Sequence, residues 1–232
     1  MNCLKKPYLG RGIIAGLTLQ GKGYVVYFLT GRSASSQARK LVYEEGIIRI
    51  EVTDKSELEK GNPALLVYDA LIAVEKGIVA SNGAQTKLVY NTFNEGMMAE
   101  DVLMNAFENP FFEGEIDITS FEPDPPNNTP RIALCFVENN AAMYSAYFDG
   151  SKSRKKFYPL ELENGKGKLI TTYSGGNENP LKPFTGEPLD VSIDSESAEE
   201  IAKSIYSVIG EFRVSVAVMM LDGEHFIINK GD

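Results

Sequence analysis

The chain has 232 residues, of which 43% are hydrophobic and 24% charged, and its formal net charge is −9. This length and composition predict a globular protein with a real core, organised as a single domain over residues 1–232. The acidic balance argues against nucleic-acid binding, which depends on clustered basic residues. With His225 as its one histidine and with two cysteines, the chain lacks the residues for a histidine-rich metal site, a thiolate metal site or a disulfide framework.

Targeting signals are absent from the sequence. Residues 1–16 contain no long apolar run before Gly10. No stretch reaches the roughly 20 apolar residues that cross a bilayer. We therefore expect a cytoplasmic protein without membrane contact.

Most of the predicted regular structure is β-strand, because branched and aromatic residues recur in short runs. The predicted strands are, in chain order, residues 24–29, 47–52, 64–74, 131–137, 141–148, 169–173, 212–221 and 225–229. Polar turns at 138–140 and 222–223 join two pairs of these strands as hairpins.

Two helices are predicted from apolar residues at helical spacing. One spans 197–209 and begins with a capping box at 197–200, and the other spans about 95–107 after a similar pattern at 92–95. The segment 33–44 fits either a helix or a loop. Many strands, few helices and no βαβ alternation predict an α+β fold, in which outer helices cover two stacked, mainly antiparallel sheets.

Two stretches are too rich in proline and glycine for regular elements, namely 121–130 and 173–189. Such loops on a β-rich scaffold commonly carry ligand-binding residues. The sequence contains no GxxxxGK[ST], GxSxG or HExxH motif. The glycines of residues 10–16 miss the GxGxxG spacing by one residue, and no predicted strand precedes them, so we reject a dinucleotide site.

Several turns combine arginine, hydroxyl and amide side chains. Arg32, Ser33, Ser36 and Arg39 follow one predicted strand within eight residues, a set suited to a phosphate monoester, although a solvated loop has the same composition. The pair at 82–83 follows another apolar strand, where an amide can read a heterocycle, but Asn-Gly is equally a hairpin turn.

Arg131 stands at the start of a buried strand, where a charge needs a partner. Glu122 and Asp124 are the nearby candidates for that partner. A purely structural salt bridge explains these residues equally well at this stage.

The ordered set of these segments resembles the archaeal-type IMP cyclohydrolases and their bacterial relatives. The segments that carry the resemblance are YLGRGIIAG at 8–16, the GRS and SxxxR pattern of 31–39, LVYDALIAV and ASNGAQT within 66–86, and NNTPRIAL at 127–134. The loop at 171–189 looks like that of the bacterial branch. Each motif is short, so the specificity comes from the order of the whole set, which extends from Tyr8 to about Leu189.

The resemblance implies a four-layer αββα sandwich similar to the N-terminal-nucleophile hydrolases. It also implies ring closure of 5-formamidoimidazole-4-carboxamide ribotide to IMP, with loss of water, in purine biosynthesis. The substrate's own carboxamide attacks its formyl group in that reaction, so no metal, organic cofactor or protein nucleophile is needed. No Cys, Ser or Thr follows Met1 directly, and self-processing with Cys3 as the new terminus is not expected.

Candidate roles follow from this reaction and the residue types. Arg32 is the first choice for a cationic contact to the phosphate or the developing oxyanion, and Tyr68, which matches a family tyrosine, can donate a hydrogen bond or relay a proton. Glu122 or Asp124 is the general base. The candidates for substrate binding are Arg11, Ser33, Ser36, Arg39, Asn82, Gly83, Asn128, Thr129 and Arg131, of which Asn82, Asn128 and Thr129 can read the base edge.

Two alternatives stay open. The chain can be a nucleotide-binding protein that lost turnover, or an amidohydrolase on the same fold. An enzyme needs an intact acid and base, whereas a binding protein needs only the arginines and amides. The expected partner is in each case a small molecule, which is a purine nucleotide for a cyclohydrolase and for a nucleotide-binding protein. The sequence leaves open whether the protein forms a homo-oligomer.

Overall fold

The computed structural model describes residues 1–54, 56 and 66–232. This part of the chain contains fifteen strands, which are β1 Arg11–Leu17, β2 Gly23–Thr30, β3 Arg39–Glu44, β4 Ile47–Val52, β5 Asp69–Val74, β6 Gly77–Ser81, β7 Phe112–Glu113, β8 Ile116–Asp117, β9 Arg131–Val137, β10 Asn140–Phe148, β11 Ser153–Leu160, β12 Lys166–Thr171, β13 Leu189–Ser192, β14 Arg213–Met220 and β15 His225–Asn229. The α-helices of the same part are α1 Ala34–Gln37, α2 Gln85–Thr92, α3 Ala99–Phe107 and α4 Ala198–Val208.

Two antiparallel sheets hold thirteen of these strands. The six-stranded sheet has the order β13-β12-β1-β2-β14-β15, and the seven-stranded sheet has the order β11-β10-β9-β6-β5-β4-β3. β7 and β8 form a separate small hairpin. In the larger sheet, β9 pairs with β10 through the predicted turn at 138–140, and in the smaller one β14 pairs with β15 through the turn at 222–223.

The two sheets share one apolar core, and β2 shows how the sequence builds it. Side chains alternate across a strand, so Val25, Tyr27 and Leu29 join the cluster that contains residues of both sheets. Tyr24 and Val26 face the opposite way and join the cluster that contains α4. All residues of β2 are buried, because both faces of this strand are covered.

The helices cover the outer faces of the sheets. α4 packs Ile201 and Ile205 against the six-stranded sheet. α2 and α3 cover the seven-stranded sheet, where Phe107 stacks on Tyr144 with ring centroids 3.9 Å apart. The prediction of two large antiparallel sheets with few helices is confirmed. Among the described residues, no helix combines the length and the apolar character that crossing a membrane requires.

The predicted helix at 197–209 is confirmed as α4. Ser197 caps it, and the backbone N–H of Glu200 donates to the Ser197 hydroxyl at 3.3 Å. The predicted start of the helix at 95–107 is wrong, because α3 begins only at Ala99. The Ala99 N–H donates to Asn140 Oδ1 of a neighbouring strand at 2.6 Å, so a tertiary contact replaces the local cap.

Other differences concern single segments. The segment 33–44 holds the four-residue helix α1 and the strand β3. Residues 85–92, interpreted as following a turn, form α2. The strand predicted at 64–74 begins at Asp69, and its residues 64 and 65 lie outside the described residues. The glycine-rich segment before residue 18 contains β1, which is central in its sheet. A Cβ at position 12 would overlap the Phe28 ring, so Gly12 leaves room for this side chain.

Candidate active site

Buried charged side chains mark the site. Three charged residues are buried among the described residues, namely Arg39, Glu122 and Arg131, with 5%, 3% and 2% of their surface exposed. The side chain of Arg11 is 11% exposed and lies in the same cluster. Charges are kept out of protein interiors unless they are paired or have a function, so four of them together single out this region.

The three arginines occupy equivalent places in the fold. Arg11, Arg39 and Arg131 are the first residues of β1, β3 and β9. β1 belongs to the six-stranded sheet and the other two strands to the seven-stranded sheet, so the cluster lies between the sheets at one end. The strand ladder holds each backbone, and each guanidinium therefore projects from a rigid support.

Glu122 is the counter-charge of this cluster. Its Oε1 accepts a hydrogen bond from Arg11 Nη2 at 2.6 Å and lies 3.9 Å from Arg131 Nη1. Its backbone N–H donates to the Thr129 carbonyl at 2.8 Å, which ties the residue to the strand end. Oε2 makes no hydrogen bond within the described residues and is available to accept a proton or a donor from a ligand.

Arg131 is held on its other side by helix α2. Its Nη1 donates to Gln85 Oε1 at 2.8 Å. A Cβ at position 83 would lie 2.6 Å from Arg131 Nη1 and 2.6 Å from Gln85 Oε1, so the glycine at 83 makes this arrangement possible. Gly83 therefore serves the site through the space that it leaves.

Asn82 acts as a clamp between strand ends. Its Nδ2 donates to the Pro130 carbonyl at 2.8 Å, and its Oδ1 accepts from the Ile132 N–H at 2.7 Å and from Gln85 Nε2 at 2.9 Å. The side chain is fully buried. These contacts hold the start of β9 in place and leave the Asn82 amide oriented toward the protein interior.

Four tyrosines surround the arginines, namely Tyr8, Tyr27, Tyr68 and Tyr173. The hydroxyls of Tyr27 and Tyr68 are 2.8 Å apart, and the rings of Tyr8 and Tyr173 stack with centroids 5.7 Å apart. Burial raises the pKa of Tyr173 to about 12, and burial followed by the nearby Tyr68 hydroxyl raises the pKa of Tyr27 well above its ordinary value. Both phenols therefore remain protonated at neutral pH and can donate hydrogen bonds.

The electrostatics of the cluster favour an anion. Burial lowers the pKa values of Arg39 and Arg131. For Arg11 burial acts in the same direction, but the Glu122 carboxylate and the tyrosine hydroxyls outweigh it and hold the pKa above its usual range. Arginine stays protonated in proteins, so the cluster holds three cations and one buried carboxylate, which is paired with Arg11 and Arg131. Arg39 forms no ion pair within the described residues. Its Nε donates to the Ser36 carbonyl at 3.1 Å, and its other N–H groups make no hydrogen bond there.

Asp124 has a different environment from Glu122. Its Oδ1 accepts from the Thr129 N–H at 2.6 Å, and its Oδ2 accepts from the Thr129 hydroxyl at 2.5 Å. Thr129 also shares a 2.6 Å hydrogen bond with the Tyr173 hydroxyl. Both carboxylate oxygens thus close the loop before β9, in which Asn128 has a φ of 45° and makes no side-chain hydrogen bond within the described residues.

Arg32 lies at the outer side of the cluster. Its guanidinium carbon is 4.9 Å from the centroid of the Tyr8 ring. Its Nη1 donates to Asn177 Oδ1 at 2.8 Å and to the Glu178 carbonyl at 3.3 Å. These contacts connect it to the loop at 173–189.

The two serines also lie at the surface. The Ser33 hydroxyl caps α1 by accepting from the Ser36 N–H at 3.2 Å. Ser33 is exposed and Ser36 half-buried, beside the carbonyl that binds Arg39. The structure therefore brings Arg11, Tyr68, Glu122, Arg39 and Arg131 together and leaves Arg32, Ser33 and Ser36 at the outer side of this cluster.

A groove of about 380 Å³ opens beside the cluster. Tyr68 and Gly83 line it, and its walls carry Arg49, Asp69, Lys87 and Glu113 in addition to three smaller side chains, Val67, Ala84 and Thr86. A volume of this size fits a small organic ligand. Within the described residues, no group of three or more His, Cys, Asp or Glu side chains is arranged to hold a metal ion.

Sequence reasoning did not find the tyrosines at 8, 27 and 173 as members of the site. A strand tyrosine is ordinarily a core residue, and Tyr24 on the same strand as Tyr27 is such a case. The signal that was available is weaker. Tyr8 and Tyr173 fall within the segments that carry the family resemblance, but nothing in those segments distinguishes a site residue from a packing one.

Comparison with known proteins gives a consistent result. The family model described as IMP cyclohydrolase-like protein matches residues 8–225. The IMP cyclohydrolase of Methanocaldococcus jannaschii is 29% identical over 217 residues, which cover 93% of this chain and 94% of that protein. An IMP cyclohydrolase of Methanococcus maripaludis is 26% identical over 218 residues, with 93% and 96% covered, and that of Methanococcus aeolicus is 26% identical over 198 residues, with 85% and 87% covered.

Proposed function

Because the chain belongs to the IMP cyclohydrolase-like family, we propose that it is an IMP cyclohydrolase, which closes 5-formamidoimidazole-4-carboxamide ribotide to IMP with loss of water. The observation that carries the proposal is the buried cluster in which Arg11 and Arg131 flank Glu122, with Arg39 nearby on the side of Tyr68 and Tyr8. A binding site for a phosphorylated ligand needs the cations, and the chemistry needs a carboxylate with an unused oxygen.

Ring closure forms a carbon–nitrogen bond between the carboxamide nitrogen and the formyl carbon. The formyl oxygen gains negative charge as the bond forms and leaves as water, after one proton has come from each of the two nitrogens. The enzyme must therefore orient the formyl group, accept and return protons, and stabilise an oxyanion.

Glu122 is the base that the geometry favours over Asp124. Its Oε2 is unengaged while its Oε1 is fixed by Arg11, whereas both oxygens of Asp124 bind Thr129. The carboxamide N–H donates to Oε2 and transfers its proton there. Arg11 and Arg131 orient this carboxylate, and Asp124 keeps the loop in the conformation that presents it.

Tyr68 supplies a donor to the developing oxyanion. It is 7% exposed and lines the groove, and its hydroxyl bonds only that of Tyr27 within the described residues. A hydroxyl donor in a site with little water stabilises the charge that develops on the formyl oxygen.

The phosphate binds on the side of Arg39. This guanidinium has unused N–H groups, and Arg39 and Arg32 both lie near Tyr8. Ser33 and Ser36 add hydroxyls in the segment between Arg32 and Arg39. Asn128 and Thr129 lie on the opposite side, next to Glu122, where the heterocycle binds.

The packing of the elements supports a four-layer αββα sandwich of the N-terminal-nucleophile-hydrolase type, formed by α4, the two sheets, and α2 with α3. The chemistry differs from that of those hydrolases. Cys3 packs against the α4 cluster, and its thiol donates to the Asp190 carbonyl at 3.6 Å. It is not part of the arginine cluster. A cytoplasmic location agrees with a role in purine biosynthesis.

Incubation of the purified protein with the formamido ribotide tests the proposal, with IMP formation followed by absorbance and identified by its mass. Turnover is expected without added cofactor and in the presence of EDTA. Tight binding of IMP without any ring closure would instead indicate a nucleotide-binding protein. Release of ammonia or formate without IMP would indicate an amidohydrolase.

A further inference from the structure

The buried phenol of Tyr27 is a group that the reaction described above does not use. Tyr27 lies on β2 in the core between the two sheets and is 0% exposed. Its hydroxyl forms one hydrogen bond within the described residues, to the Tyr68 hydroxyl at 2.8 Å. A buried polar group in an apolar core costs free energy unless its donor and acceptor functions are satisfied, so the direction of this bond matters.

The two possible directions have different consequences. If Tyr68 donated, the O–H of Tyr27 would have no acceptor within the described residues and would be buried without a partner. If Tyr27 donates, its O–H is satisfied and the O–H of Tyr68 is left for another acceptor. Tyr68 lines the groove, so the acceptor that it can reach is a bound ligand. The second direction leaves no buried donor unsatisfied once a ligand is present.

The surroundings keep the Tyr27 phenol protonated. Burial raises the pKa of Tyr27 well above its ordinary value, with the Tyr68 hydroxyl acting in the same direction and Arg11 opposing both. The phenol therefore carries its proton at neutral pH and is able to donate it in a hydrogen bond.

We propose that Tyr27 is a positioning residue, which donates a hydrogen bond to the Tyr68 oxygen and thereby directs the Tyr68 O–H into the groove, toward the substrate oxygen that becomes negative. This role rests on the proposed function. Tyr27 does not touch the substrate, so it acts on the rate through Tyr68. Without its hydroxyl, the O–H of Tyr68 can rotate away from the reactive direction, which weakens the interaction in the transition state more than it weakens binding.

The same strand offers a matched control. Tyr24 is also 0% exposed and lies on β2, but it faces the α4 side, and its hydroxyl has no hydrogen-bond partner among the described residues. Tyr24→Phe and Tyr27→Phe therefore remove the same atom from two buried tyrosines three positions apart, one away from the groove and one behind it.

The experiment is a double-mutant cycle with Tyr27→Phe, Tyr68→Phe and the double variant, with Tyr24→Phe as control. Melting curves of all variants set an assay temperature at which each of them is folded. We expect Tyr27→Phe to lower kcat about tenfold, the effect of one ordinary hydrogen bond, with KM changed less than about twofold. The double variant should have the kcat of Tyr68→Phe, because Tyr27 has no other route to the substrate.

Equal kinetics of Tyr27→Phe and Tyr24→Phe, or losses that multiply in the double variant, would overturn the assignment while the parental enzyme still makes IMP. A rise in KM with kcat unchanged would also overturn it, since it would place the effect in binding. No IMP from the parental protein would overturn the proposed function, and this assignment with it.

Discussion

The two faces of the six-stranded sheet differ in what they do with polar groups. The face under α4 is apolar, and the phenol of Tyr24, which β2 buries there, has a hydroxyl without a partner in the part of the chain that the structure describes. The face toward the second sheet ends at the arginine cluster, and Tyr27 on that face is hydrogen-bonded to Tyr68. One strand with alternating side chains thus contributes to a layer that stabilises the fold and to the site.

The difference separates stability from function. The interface with α4 gains its stability from burying apolar surface, which any side chain of similar shape can supply. The cluster between the sheets holds three buried or nearly buried cations and one carboxylate, an arrangement that costs folding free energy. Under the proposed function, a bound anion would offset that cost. Substitutions on the α4 face should therefore lower the free energy of unfolding and leave kcat unchanged. Substitutions in the arginine cluster should change the kinetic constants more than the stability.

Glu122→Gln should have the largest effect. The amide keeps an acceptor for Arg11 but cannot take a proton, so kcat should fall by about 10²–10⁴-fold, the usual contribution of a general base. Steady-state kinetics with binding of IMP by calorimetry measures this, and IMP binding should persist. The control is Glu115→Gln on the exposed turn between β7 and β8, and a kcat like that of this control would show that Glu122 is only a structural ion-pair partner.

Ile205→Ala tests the α4 face of the sheet. Ile205 is 0% exposed beneath α4, so the truncation should lower the free energy of unfolding by about 2–5 kcal/mol. The kcat of the folded fraction should stay unchanged. Urea denaturation measures the first quantity, with the exposed Ser207→Ala of the same helix as control. A loss of kcat in folded Ile205→Ala would mean that the two faces are coupled.

Arg39→Met should change stability and binding in opposite directions. Arg39 is buried without an ion pair in the described residues, so an apolar side chain of similar length should leave the melting temperature unchanged or raise it. The KM for the ribotide should rise about 10–100-fold, because the loss of a charge-assisted contact to phosphate weakens binding. Lys40→Met, at the next and more exposed position, is the control. An unchanged KM would move the phosphate site elsewhere.

Alkaline pH should lower the free energy of unfolding because of the buried phenols, by less than the substitutions above. Burial raises the pKa of Tyr173 to about 12 and raises the pKa of Tyr24, whereas an unfolded tyrosine ionises near about 10. Above that pH the unfolded state binds fewer protons, so the stability that is fully present below about pH 10 is lost as the pH rises through about 12. Urea titrations at several pH values test this.

Tyr24→Phe sharpens the alkaline test. It removes a hydroxyl that bonds to none of the described residues, so the stability at neutral pH should change by less than about 0.5 kcal/mol. The loss of stability above about pH 10 should become shallower, because one buried ionisable group is gone. A steep loss identical to that of the parental protein would show that the Tyr24 phenol reaches solvent before the protein unfolds.

Much of the scaffold is predictable from local patterns. The strand at 131–137 and the helix at 197–209 have the periodicity and caps that their structures use, since Ser197 accepts the Glu200 N–H. The helix α3 shows the limit of this reasoning. Its start depends on Asn140, which lies on a strand that is close in space but 41 residues away in the sequence, and no local pattern contains that contact.

The site divides in the same way. The arginines at 11, 39 and 131, with Glu122, are recognisable as charged residues at the ends of apolar segments, and the ordered motifs indicate the family. Their assignment to one cluster requires the stacking of two sheets, which brings β1 and β9 together across a core. The preference for Glu122 over Asp124 follows from which oxygens Thr129 occupies.

The sequence by itself determined the β-rich sandwich, the family and the chemical types available to the site, because strand periodicity, caps and short motifs are local properties. The tertiary structure alone decided which charges are buried, which carboxylate oxygen remains unengaged and which of two tyrosines on β2 faces the arginine cluster. Those properties depend on contacts between residues far apart in the chain, and a pattern along one strand cannot tell which of its two faces meets a ligand.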